Sequence, residues 1–111
     1  MKLISFTIYR GDSMKLTITP AAQTYFKNDM GLSSGSEVGF HSRVYGKTAV
    51  HEGFSVGLTV ESPEGALLAD ETIDGIHYYI TENDEWFFHG YDFEVDFSPE
   101  EENFIYRFIE Q

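Results

Sequence analysis

A chain of 111 residues with 41% hydrophobic and 16% aromatic side chains has apolar material for one core and too little length for two separately folded domains. It contains no cysteine, which excludes disulfides, thiolate metal sites, thiol nucleophiles and any cluster held by cysteine sulfur from this chain. The formal charge of −12 is divided unevenly, with +3 on residues 1–51 and −15 on residues 52–111, where Arg107 is the only Lys or Arg among sixteen acids. That acidic half repels phosphate backbones and anionic membrane surfaces, and it attracts cations or a basic protein.

Two readings apply to residues 1–13. Ile4, Phe6 and Ile8 alternate as in an edge strand, whereas Met14-Lys15-Leu16 echoes Met1-Lys2-Leu3 as if Met14 were the natural start and residues 1–13 a translated leader. Leu16-Thr17-Ile18 predicts a short strand. Thr19 then fits an N-cap with Pro20 at the first helical position, and Ala22, Tyr25, Phe26 and Met30 share one helical face until Gly31 stops it. Period-two alternation predicts strands over 38–44, 54–60, 76–80 and 93–97. Ser62-Pro63-Glu64-Gly65 and Ile73-Asp74-Gly75 carry turn chemistry and read as hairpin ends. Trp86 and Phe88 alternate with Phe87 and His89, as in a strand covered on both faces. Ser98-Pro99-Glu100-Glu101 fits a capping box, but Phe104, Tyr106 and Phe108 alternate with Ile105, Arg107 and Ile109, which favours a strand returning along 93–97.

Chemistry-bearing motifs are sparse. The chain has no glycine-rich phosphate loop, no Gly-x-Ser-x-Gly and no His-Glu-x-x-His, and sixteen acids in sixty residues make chance carboxylate pairs unavoidable, so an enzyme is not expected. Arg43, in a predicted strand, is the basic residue suited to organise acidic groups by bidentate pairing. The aromatic run around Trp86 and Phe88 suits a core, a partner surface or the wall of a small-molecule pocket. With no apolar run of about 18 residues and no cleavable leader pattern, the chain reads as soluble and cytoplasmic.

From Met14 onward, Leu16-Thr17-Ile18-Thr19-Pro20-Ala21-Ala22, Glu37–Val44, Gly53–Leu58 and Phe93–Phe97 together resemble the HesB/IscA-like iron-sulfur cluster biosynthesis domain. The resemblance implies a single domain over 14–111, mainly β, a barrel or sandwich of mixed strands with one helix near the N-terminus. It also implies a role linked to iron-sulfur biogenesis. That family's ligands are cysteines, and the position matching the first of them falls near His51, so the chain resembles a cysteine-free branch that does not assemble a cluster alone. Three readings follow: a non-catalytic accessory protein with a basic protein partner and a tendency to self-associate; a thiolate-free iron or divalent-metal protein using His51 and Glu52; and a small-molecule pocket near Trp86.

Overall fold

A computed structural model describes residues 14–111, so both readings of residues 1–13 lie outside the described residues. The chain runs β1 (Leu16–Ile18), α1 (Pro20–Thr24) continued by a π-helical turn (Tyr25–Asp29), β2 (Glu37–Arg43), β3 (Ser55–Thr59), β4 (Leu67–Ile73) and β5 (Ile76–Thr81). A 3-10 turn (Glu82–Asp84), α2 (Glu85–Phe88), β6 (Tyr91–Ser98) and β7 (Asn103–Glu110) complete it. Strands dominate, as the alternation predicts. They form a three-stranded sheet ordered β1-β6-β7 and a four-stranded sheet ordered β3-β2-β5-β4. Both sheets are mixed: β1 lies parallel to β6 and β2 parallel to β5, and the remaining pairs are antiparallel. Among the described residues no closed barrel forms, because each sheet keeps two edge strands and closes on neither itself nor the other.

Local chemistry accounts for the first helix. Thr19 has extended backbone, its hydroxyl accepts from the Ala22 amide at 3.3 Å and donates to Asp96 Oδ1 at 2.6 Å, and Pro20 occupies the first turn, where no amide donor is needed. Ala22 and Phe26 turn inward and are fully buried. At the other end of the chain, β6 and β7 pair from Tyr91↔Glu110 to Ser98↔Asn103, so the returning strand forms and the capping box at Ser98 does not start a helix.

Two expectations need correction. Ser62–Gly65 is not a hairpin end, because β3 and β4 are the two outer strands of the larger sheet and the chain must cross between them. Trp86 and Phe88 do not lie on a strand. Residues 85–88 form a single helical turn in which Phe87 and Phe88 face the core and Trp86 is turned out. Successive helical residues point about 100° apart, so the chain cannot bury all three rings on one side.

The core is one cluster spanning both sheets and both helices. Phe93 of β6 is its junction: its ring lies 6.1 Å from Phe40 of the other sheet, 4.9 Å from Phe88 of α2 and 5.2 Å from Phe108 of β7. On the face of the larger sheet opposite Phe40, Gly39 makes room for Tyr79 by its missing side chain. A Cβ there would lie 2.6 Å from the Tyr79 ring, whose hydroxyl donates to the Glu61 carbonyl at 2.7 Å.

On the larger sheet, His77 joins three strands. Its Nδ1 lies 2.8 Å from Glu37 Oε2 of β2 and its Nε2 2.8 Å from Asp70 Oδ2 of β4, so the doubly protonated ring donates to both. The Glu37 hydrogen bond, with that of Asp70 behind it, raises the His77 pKa above 6.5, and partial burial opposes the rise. Glu37 is lowered from 4.5, first by His77 and then by the Ser62 hydroxyl.

Two outcomes follow. The His77 contribution is complete below its unfolded pKa of 6.5 and is lost as pH rises through the raised folded value, whereas the Glu37 contribution is present above 4.5 and is lost as pH falls through the lowered one. Denaturation midpoints of the wild type and His77→Gln should therefore converge as pH rises from about 6 to about 9, and a constant gap would contradict the clamp. The β4–β5 turn supplies the second outcome. Asp74 and Gly75 sit at φ 53° and 79° between paired Ile73 and Ile76, and a Cβ on Gly75 would meet the Ser34 backbone at 3.0 Å. Gly75→Ala should lower unfolding free energy by about 1–3 kcal/mol, and an unchanged urea midpoint would refute that strain.

Candidate functional site

Three separate pieces of chain meet at one end of the larger sheet: the end of β2, the 44–54 loop and α2. Asp84, buried ahead of α2, accepts from the Ser42 hydroxyl at 2.7 Å and from the Ser42 amide at 3.2 Å. This holds the start of α2 against β2. His51 holds the loop to the end of the same helix, its Nε2 2.8 Å from the Phe87 carbonyl oxygen. A carbonyl only accepts, so Nε2 carries the proton and donates. The imidazole also stacks on the Phe87 ring, with centroids 4.6 Å apart and planes 17° apart. Inside the loop, the Thr48 hydroxyl accepts from the amides of Val50 and His51 at 3.2 and 2.9 Å.

Trp86 lies over this junction. Its ring packs edge-on against Phe54 at 5.2 Å and lies 6.0 Å from His51, yet half of the residue remains exposed. Arg43 pairs with Ser55 as the last pair of β2 and β3, so Val44 and Phe54 stand just beyond the two strand ends, and Val44 is 78% exposed. Arg43 takes a different role from that expected of it. Its guanidinium sits 4.9 Å from the Tyr45 ring centroid and donates to the Tyr45 hydroxyl, with no carboxylate partner among the described residues.

The residues expected to bind metal are placed otherwise. His51 is engaged by the Phe87 carbonyl, Glu52 is exposed, and no group of three or more His, Asp or Glu side chains among the described residues could hold a metal ion. Trp86 and Phe88 also face different surroundings. Phe88 is buried against Phe93 and Phe108 and lines a cavity of about 620 Å³ with Met14, Leu67 and Tyr91, on which Trp86 does not border. The bond from His51 to Phe87 was not legible in the sequence, since its acceptor is a backbone oxygen 36 residues away and leaves no side-chain signature. Replacing His51 with Ala should cost about 1–2 kcal/mol and speed amide exchange over residues 44–54; unchanged exchange there would show that the loop is held by something else.

No protein-family model matches the chain. A protein of Bacillus subtilis (strain 168) named pyruvate dehydrogenase inhibitor is 33% identical over 95 residues, covering 86% of this chain and 99% of its own. Uncharacterised proteins of Staphylococcus aureus strains MRSA252 and USA300 are 34% and 32% identical over 77 residues, covering 68% of this chain and 79% of theirs. These findings overturn the HesB/IscA-like resemblance and the iron-sulfur role that it implied. The resemblance rested on the order and spacing of half-buried strands, a pattern that any small mixed-sheet protein repeats. No helix among the described residues is long and apolar enough to cross a membrane. With a third of the aligned residues identical across nearly the full length of the Bacillus protein, the chain belongs to the family of the Bacillus subtilis pyruvate dehydrogenase inhibitor.

Proposed function

We propose that this chain is a protein inhibitor of pyruvate dehydrogenase that acts by binding the enzyme rather than by catalysing a reaction. The observation that carries the reading is the match to the Bacillus protein of that name over 86% of this chain. The side chains are consistent with it. Each of the four histidines is hydrogen-bonded: His77 and His89 to carboxylates, and His41 and His51 to backbone carbonyls.

The partner is a protein, and the charge of −12 favours a basic face on it. The cytoplasmic location expected from the sequence belongs to the same reading.

The test is a titration of purified pyruvate dehydrogenase complex with the full chain, following NADH formation at saturating pyruvate. The rate should fall with added protein and level off, with an apparent Kd of about 1 μM or tighter. An unchanged rate at large excess, with no binding by calorimetry, would reject the reading.

A further inference from the structure

We propose that the end of the molecule bearing Trp86, Phe54 and Val44 is the face that seats on the enzyme, and that the enzyme presents there an apolar socket bordered by basic side chains. The inference rests on the inhibitor reading above and adds the surface and the chemistry of its partner.

Exposure is the first ground. Trp86 is 50% exposed and Val44 78% exposed, although Phe87 beside Trp86 is wholly buried in a core that takes up most of the chain's rings. Buried aromatic anchors, tryptophan foremost, supply most of the energy of protein interfaces, and an exposed indole is the residue with most to gain from a partner's pocket.

Preorganisation is the second. The indole leans on Phe54 and His51, and the segments that carry these rings are tied by the Ser42–Asp84 hydrogen bonds and by the His51 donation to the Phe87 carbonyl. Little rotamer freedom is left to lose on docking, so more of the burial energy appears as affinity.

Charge selects the occupant. Beside the patch, exposed Glu52 and Glu85 are balanced by exposed Arg43 and Lys47, and Glu85 is held by His89 at 2.6 Å. The sign of the wider field is set by the rest of the chain, whose net charge is −12. A second copy is a poor occupant, because two chains of charge −12 repel. A basic protein face meets that field favourably.

The test compares the wild type with Trp86→Ala, Val44→Lys and the control Ile109→Ser, an exposed apolar residue on β7. Each variant is checked for wild-type circular dichroism, and binding to the purified pyruvate dehydrogenase complex is measured by calorimetry at low and high salt. Trp86→Ala and Val44→Lys should each weaken binding about tenfold or more, Ile109→Ser should bind as the wild type does, and added salt should weaken the wild-type complex. Val44→Lys keeps the test decisive if loss of the indole disturbs the fold, since Val44 is largely solvent-exposed. Wild-type affinity in both patch variants would overturn this surface and leave the inhibitor reading standing, whereas failure of the wild type itself to bind would remove that reading and the surface with it. A wild-type dimer in light scattering that Trp86→Ala makes monomeric, with enzyme binding unchanged, would assign the patch to a second copy instead.

Discussion

The contact of Phe93 with Phe40 and Phe88 is the constraint from which the rest of the molecule follows. Sheets of three and four strands are each too small to bury an apolar face alone, and Phe93 is where the smaller sheet, the larger sheet and α2 reach one another. Once Phe87 and Phe88 are committed to that junction, the geometry of one helical turn leaves Trp86 outside it. The exposed indole is therefore a consequence of core packing. The Asp84 and His51 hydrogen bonds then hold it in one place on the surface.

Charge is handled locally. In the acidic half, Arg107 reaches Glu94 and Asp96 across the β6–β7 pair, and Lys27 bridges to Asp74 at 2.7 Å. Lys27, Asp74 and Arg107 are exposed and Glu94 and Asp96 are partly so, and solvent screening leaves the pairs little to add to stability. Most remaining carboxylates, Glu52, Glu82 and Glu85 among them, lie exposed and unmatched by salt bridges to lysine or arginine among the described residues. The His77 clamp is the exception in structural role, since it ties β2, β5 and β4 through one ring.

Much of the fold was legible in the sequence. Alternation located β2, β3, β5, β6 and β7, and the Thr19-Pro20 pair located the first helix, because each signal is local to the element it marks. Strand β4 left no such trace. Its Leu67-Leu68-Ala69 start is broken by a register shift between Leu67 and Ala69, and Asp70, Glu71 and Thr72 then run exposed in succession. Helix α2 was misread since four residues are too few to show a 3.6-residue period, and Trp-Phe-Phe-His alternates in name only. At the site, Trp86 was visible as a residue but not as an exposed one. The family resemblance failed because strand order alone does not identify a function.

Hydrogen–deuterium exchange on the full chain, free and bound to the pyruvate dehydrogenase complex, tests the central claim most directly. The account predicts protection on binding over residues 44–54 and 82–89, with the outer residues of β7 unchanged. Protection confined to β7 or to the His77 face, with residues 44–54 and 82–89 exchanging as in the free protein, would contradict it.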